Sequence, residues 1–595
     1  MKNIISKILV LLAGIVMLNG CGKVENSDLQ NPNVPSPSTA DVDLFLASVQ
    51  STFVSFYWSA YYPSAELSRM EQWSGPNYQN GYSATSFDNL WTNGYLALNN
   101  AQAMIKLAVD QKKYTHVGIG QVMQAYILGT LVDLFDSIPL TEALQGTVNL
   151  TPRPTSGAAV YAYIDTLLGS AIANFNLVPS TVPTFDNFYS GDRALWIRAA
   201  NTFRLKFYNQ QRLVNGLALA PKISNLVNNA ASLLIVAPAH NFNFKYSAVS
   251  SPNSRHPFYT TSYRGATSTS NTGSGTYLNN YYMFLVGVEK RAKARGLTAG
   301  GSWDQSTMTV PLTTDIYDDP RRRYMFYRPY RTYAGKTTAS LPCAYGIPEP
   351  GWFTDPTMPF CLPAIVGGYW GRDHGDNSGT PPDAQFRTAY GVYPGGGAFD
   401  NNAFGVHTFA GQGAQGAGIA PIWNSEFTQF VIAELALIGG QTAAAKTALR
   451  TGVNHSITNM QGLATAINYA LPSTDTLFLV NRPSQINRYL DLVANLFDSA
   501  VTPDDKLDVV MKEYFIALWG NGIEAYNNLR RTGKPRNVQL PVVSEPGTGN
   551  LFFRAFTYPA VYVLRNSNAA PQRENPGQQT YRVWWDINTG TNNIQ

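Results

Sequence analysis

Apolar positions recur at three- and four-residue steps over long stretches near both ends of the chain. Between Phe87 and Ala108 they fall at Leu90, Trp91, Tyr95, Leu98, Ala101, Met104 and Ile105, and from Val117 to Phe135 at Val122, Met123, Tyr126, Ile127, Leu131 and Leu134. That is the spacing of amphipathic helices, each of which must lay one face on a partner. The same pattern predicts helices at 40–58, 157–175, 193–216 and 221–235, and later at 424–438, 441–451, 483–499 and 505–519. Successive helices joined by short polar turns predict a mainly α fold, a helical-repeat scaffold of antiparallel pairs without a strict repeat consensus.

The middle of the chain differs. From 242 to 421, apart from a predicted helix at 279–295, it is dense in Gly, Pro, Tyr, Ser and Asp with only short apolar runs. It reads as a large loop-rich insertion carried by the helical scaffold. Long loops inside a domain are usually functional, so ligand contacts are expected there and in the aromatic loop 57–82.

Lys2 and Lys7 precede an apolar run from Ile8 to Leu18 that ends in Asn19-Gly20-Cys21. The run is too short for a bilayer core, which needs roughly 20 helical residues, and reads as a lipoprotein signal peptide over 1–20 with lipidation on Cys21. Two or more acyl chains on that cysteine give stable anchoring. Residues 21–39, rich in Asn, Ser and Pro, read as a tether, and 40–595 as the folded body.

Charged residues make up only 14% of the chain against 12% aromatic, and a formal charge of +5 comes without any basic run. This argues against disorder and against a nucleic-acid partner. Two cysteines remain besides Cys21: Cys343 and Cys361 are expected to pair in an oxidising compartment, the alternative being two free thiols.

Partial motifs fail on context. Gly411, Gly413 and Gly416 satisfy a dinucleotide-type glycine pattern, but no β-run precedes them and Pro421 follows. Gly335-Lys336-Thr337 lacks the glycine a P-loop needs at position 330, which is Tyr. Metalloprotease and serine-hydrolase motifs are absent from the sequence. Asp373 and Asp376 are weak candidates for a cation; the favoured account is a glycine-rich turn held by side-chain hydrogen bonds, because the stretch lacks calcium's dense oxygen set.

Several blocks resemble the SusD/RagB family of nutrient-binding lipoproteins. Ile119 to Ala143 is similar to that family's helix and exit turn, with Asp136-Ser137 where the pattern has Gly-Asp. Asp318-Asp319-Pro320 with Arg321, residues 371–400, Ala433-Glu434, residues 513–535, Tyr558-Pro559 and Asn566 resemble further family blocks. Also family-like is Arg530-Arg531-Thr532-Gly533, for which a helix cap and arginine–carboxylate pairs are expected.

The resemblance implies a helical fold with tetratricopeptide-like helix pairs, exposure on the outer membrane, partnership with a SusC-like TonB-dependent transporter, and binding of a glycan or other nutrient without chemistry or cofactor. Aromatic faces suit the C–H faces of sugars, and Asn, Asp and Arg suit their hydroxyls. Trp73, Tyr78, Asn80 and Tyr82 offer this chemistry in one loop, and Tyr281, Tyr282, Trp303 and Trp352 offer it in the insertion. For each, core packing or loop anchoring is the competing role. Trp58, Trp91 and Trp519 follow helical periodicity and are expected in the core. The alternative function is a lipid-anchored surface glycoside hydrolase, which needs only two suitably spaced carboxylates.

Overall fold

Asp41 opens the first helix by accepting the Asp43 N–H on its own carboxylate at 2.9 Å, a side-chain cap of the kind that starts helices. In the computed structural model, helix α1 (Val42–Leu67) is followed by α2 (Asp88–Asp110), α3 (Tyr114–Phe135), α4 (Gly157–Phe175), α5 (Arg193–Gln210) and α6 (Arg212–Asn228). The residues described are 41–73, 75, 81–178, 181–263, 277–290, 319–329, 369, 371–376, 387–401, 410–471, 483–536, 538–539, 541, 552–573 and 581–588. The predicted signal peptide and tether, with Cys21, lie outside them, as do Cys343 and Cys361.

Neighbouring helices pack as pairs, α1 on α2, α2 on α3, α3 on α4 and α4 on α5. Apolar on nearly every side, α3 is long and apolar enough to cross a membrane, yet it is buried in the middle of this array. Asp192 caps α5 by accepting two backbone N–H groups. The sequence places one helix over 193–216; the structure breaks it at Gln211, where the backbone turns before α6.

After the insertion come α7 (Ser425–Ile438), α8 (Thr442–Ala466), α9 (Pro483–Ser499), α10 (Pro503–Ala517) and α11 (Gly522–Thr532), of which α7 packs on α8, α8 on α9 and α9 on α10. A Thr502–Asp505 capping box with Pro503 in the first turn starts α10. Gly533 ends α11 in the left-handed region at φ 67°, returning its N–H to the Leu529 carbonyl, as the sequence predicts. Packing of α11 on α1 closes the two helical halves onto each other.

Three departures from the sequence reading have physical causes. The aromatic loop predicted over 57–82 begins only after Leu67, because Tyr57 and Tyr61 turn inward along α1 and are fully buried. The helix predicted over 441–451 runs on to Ala466: its core face continues through Val453, Ile457, Met460 and Leu463, while polar residues occupy the outer face. The helix predicted over 279–295 is α-helical over Asn280–Phe284 and widens into a π-turn over Leu285–Glu289, and its residues after Lys290 lie outside those described.

The insertion leaves and rejoins the scaffold on a single ribbon. Strand β3 (Phe242–Lys245) pairs antiparallel with β6 (Ile419–Trp423), Phe242 opposite Trp423. Two smaller ribbons, β1 (Ile138–Pro139) with β2 (Pro154–Thr155) and β4 (Phe326–Tyr327) with β5 (Ala389–Tyr390), complete the strands among the described residues.

The family-like blocks converge as buried polar knots. Asp133 accepts from Asn527 Nδ2 at 3.0 Å, Trp585 Nε1 at 2.9 Å, Lys206 Nζ at 3.3 Å and the Tyr161 hydroxyl. Its backbone carbonyl takes an N–H from Arg530 at 2.7 Å. Arg321 binds Asp319 and Glu513, and Tyr489 donates to the same two carboxylates. Arg554 binds Asp586. A buried charge costs several kcal/mol unless paired, so each knot fixes which segments meet.

Candidate functional site

At the far end of α1 three distant segments are braided by their backbones. Gln72 N–H donates to the Tyr277 carbonyl at 2.9 Å, Glu71 bridges to Leu278, and Asn279 bridges to Arg372. Gly375 N–H returns to the Trp73 carbonyl at 2.9 Å, and Gln72 Nε2 donates to the Asp376 carbonyl at 2.9 Å. Gly371 is required at the crossing: a Cβ there would lie 2.4 Å from the Leu278 carbonyl oxygen.

The braid brings together Trp73, Tyr82, Tyr281, Tyr282, Asp373 and Asp376 from the predicted set. Tyr78, Asn80, Trp303 and Trp352 lie outside the described residues. Trp73 stacks on Tyr82 with ring centroids 6.0 Å apart and lies 5.1 Å from the His374 ring. It is 2% exposed, whereas Tyr82 and Tyr277 keep part of their surface open. Tyr82 donates its hydroxyl to Glu66 at 2.9 Å, and the Arg372 guanidinium sits 4.5 Å from the Tyr277 ring centre.

Tyr282 belongs to the packing of the scaffold. It is fully buried, stacks on Trp519 at 5.0 Å and donates its hydroxyl to the Ile516 carbonyl at 2.8 Å. Tyr281, one helical step away, is 4% exposed. The expectation of core positions holds for Trp58, Trp91 and Trp519, all buried.

Asp373 spends one carboxylate oxygen on two amides, accepting from Gln539 Nε2 at 2.9 Å and Asn280 Nδ2 at 3.1 Å. Among the described residues no group of three or more His, Cys, Asp or Glu side chains is placed to hold a metal ion. Asp373 and Asp376 share a turn, Asp376 N–H donating to the Asp373 carbonyl at 3.2 Å.

Sequence reasoning missed the carboxyls beneath the aromatics. Glu71, fully buried, accepts the hydroxyls of Tyr61 at 2.9 Å and Tyr390 at 2.5 Å. Burial pushes its carboxyl up to about 8, that of Asp373 up to about 7 and that of Glu66 up to about 7. Burial also drives the His374 imidazole well below its usual value, so it is neutral. Burial therefore raises all three carboxyls under the platform towards the neutral form, Glu71 furthest, and a protonated carboxyl can both donate to and accept from a hydroxyl. The signal for these residues was three-dimensional, because Glu66, Glu71, Tyr390 and Gln539 share no motif.

Two family models match the sequence. One, described as starch-binding and associating with the outer membrane, matches residues 35–272, and one, for SusD and RagB outer membrane lipoproteins, matches 420–586, together about two thirds of the chain. No match is found among curated proteins. A SusD homologue from Parabacteroides distasonis superposes with a TM-score of 0.64 at 16% identity, covering 92% of this chain and 98% of its own. A SusD/RagB family protein from Bacteroides thetaiotaomicron gives 0.61 at 17% identity, with 92% and 99% covered. A chitin-binding SusD homologue from Flavobacterium johnsoniae gives 0.58 at 15% identity, with 91% and 99% covered. Matched in both helical halves and sharing the fold of these homologues along nearly its whole length, the chain belongs to the SusD/RagB family of outer-membrane lipoproteins.

Proposed function

We propose that the protein captures a neutral oligosaccharide at the cell surface and hands it, unmodified, to a SusC-like TonB-dependent transporter in the same membrane. The observation that carries this reading is the Trp73–Tyr82 stack at the braid, beside the partly exposed Tyr277 and over carboxyls that burial pushes towards the neutral form. Aromatic faces with a few placed polar groups are the usual composition of a sugar site. Two of the similar structures are chitin-binding proteins, which makes chitooligosaccharides the first ligands to try. Asp373 and Glu71 are occupied by amide and phenol donors, a positioning role that asks for no hydrolysis.

Isothermal calorimetry of the mature chain with a panel of neutral oligosaccharides, chitohexaose included, tests the reading. Saturable binding that Tyr82→Ala weakens at least tenfold, with sugars recovered intact, is the expected result. Affinity unchanged in Tyr82→Ala and Tyr277→Ala would remove the site, and release of shorter sugars would favour the hydrolase. Transfer is tested by co-purification with the transporter from solubilised outer membranes.

A further inference from the structure

Five helix termini meet where the chain leaves residues 1–40: the starts of α1, α3 and α5 and the ends of α2 and α4. Asp43 ties them together. It pairs with His116 at 2.9 Å and Lys113 at 3.8 Å, and it accepts the Thr184 N–H at 2.8 Å. Gln50 binds Asp186 at 2.8 Å in the loop before α5, and Arg193 donates to the Phe175 carbonyl at 2.9 Å.

Large apolar side chains stand exposed around this knot, among charged residues that include Asp41, Lys106, Asp110 and Lys112. Leu44 is 61% exposed, Val109 51%, Val178 78% and Val182 67%, with Leu177 and Phe185 each 44%. These are six of the eighteen large apolar side chains exposed among the described residues, gathered on one end of the scaffold. Scattered exposed apolar residues need no explanation, whereas a collected set marks a contact surface.

We infer that this end of the body rests on the lipid bilayer, its apolar side chains dipping into the boundary between headgroups and acyl chains. The place where the chain emerges selects that occupant. The body begins at Asp41, twenty residues after Cys21, and Leu44 lies three residues further on. Along the chain this end is therefore the part of the body nearest the lipid attachment. Exposed Lys106 and Lys112 stand beside the patch, placed to meet phosphate headgroups.

Helix α1 has 26 residues and so spans about 39 Å at 1.5 Å per residue. With its first turn on the membrane, the braid after its last turn is held well above the surface. The acyl chains already supply retention, so the patch supplies orientation. The inference rests on lipidation of Cys21 and is independent of which ligand is bound.

The test uses the lipidated full chain with Cys343→Ser and Cys361→Ser, carrying in turn Leu44→Cys, Val182→Cys or Phe185→Cys, each labelled with an environment-sensitive fluorophore. Leu217→Cys, on the outer side of α6, is the control. In vesicles of phosphatidylethanolamine and phosphatidylglycerol with brominated acyl chains, the three labels are expected to shift to the blue and lose emission, and the control to do neither. A uniform response at all four positions, or none at the three, overturns the inference. So does a blue shift that needs protein concentration and no vesicles, which would assign the patch to a second copy of the chain. Hydrogen exchange on the unsubstituted chain provides a second measurement: amides of 41–47 and 176–188 are expected to slow on vesicles, and unchanged rates count against the contact. Membrane fractionation of Cys21→Ala tests the lipid site separately.

Discussion

Arg531 donates to both carboxylate oxygens of Glu434, at 3.1 Å and 2.7 Å, while Arg212 reaches the same group at 2.6 Å. Burial alone would raise the Glu434 carboxyl, but the two guanidiniums, Arg531 foremost, outweigh it and hold it down at about 2. The contact joins α11 to α7, and through Arg212 to α6, so it ties the two helical halves. Removing Arg531 takes away the two-point partner of a buried carboxylate and leaves it to Arg212 and Asn209, so Arg531→Ala is expected to cost about 2–4 kcal/mol in urea unfolding, less than the loss of an only partner, and Arg531→Lys to recover only part. A loss within about 0.5 kcal/mol, the usual range for surface substitutions, would show the pair to be dispensable.

The carboxyls under the aromatic platform give stability the opposite pH dependence. The folded chain holds Glu71 protonated up to about 8 and Asp373 up to about 7, whereas the unfolded chain releases those protons at ordinary values of 4.5 and 3.8. Their contribution is thus complete below about pH 4 and is lost as pH rises through 7 and 8. Glu434 acts in a separate window, contributing above 4.5 and losing its effect as pH falls towards 2. The melting temperature is expected to fall from pH 5.5 to pH 8.5, and Glu71→Gln to flatten that fall. An equally steep profile in the variant would mean that other groups carry it.

Asp136 shows how a departure from the family pattern becomes a structural device. It stands where the family pattern that the chain resembles has glycine, and it adopts φ 70°, a backbone that favours glycine. Its carboxylate compensates by accepting the Trp584 N–H at 2.7 Å and the Ser137 hydroxyl at 3.1 Å. Asp136→Ala keeps the strain and loses both bonds, for an expected cost of about 2–3 kcal/mol. Asp136→Gly loses the bonds but relieves the backbone, so it should cost clearly less. Chemical denaturation of the two variants reads the order directly, and the reverse order would place the stability in the bonds' geometry and not in φ.

How much of this was legible follows from the range over which each signal acts. The helix over 157–175 was read to the residue because Ser156 caps it and the apolar stripe is local. The sequence predicts carboxylate pairs for Arg530 and Arg531 and a helix cap at Gly533; Arg531 and Gly533 take those roles, while Arg530 binds the carbonyls of Asp133 and Arg554 instead. The braid was not legible. Its links run between residues near 72, 278 and 373, mostly through backbone atoms that carry no residue identity. Aromatic residues misled for the same reason: Tyr57 and Tyr61 look like loop residues in sequence, yet their rings face the core.

The two aromatic populations at the braid should separate under mutation. Tyr282 stacks on Trp519 and donates to the Ile516 carbonyl, so Tyr282→Phe removes one buried hydrogen bond and leaves the platform untouched. The expected cost is about 1–2 kcal/mol of stability, the range for a buried hydrogen bond, with unchanged chitohexaose affinity. Tyr82 is partly exposed, and its hydroxyl donates to Glu66. Tyr82→Phe should therefore keep most of the sugar affinity, because the ring face remains, while Tyr82→Ala loses it. Glu66 adds a check on the sign: deprived of its phenol donor in Tyr82→Phe, its carboxyl, already pushed up by burial, should titrate higher still. Calorimetry and thermal melting on the three variants give six numbers, and a loss of affinity in Tyr282→Phe equal to that in Tyr82→Ala would merge the two populations and move the sugar contact into the core side of the braid.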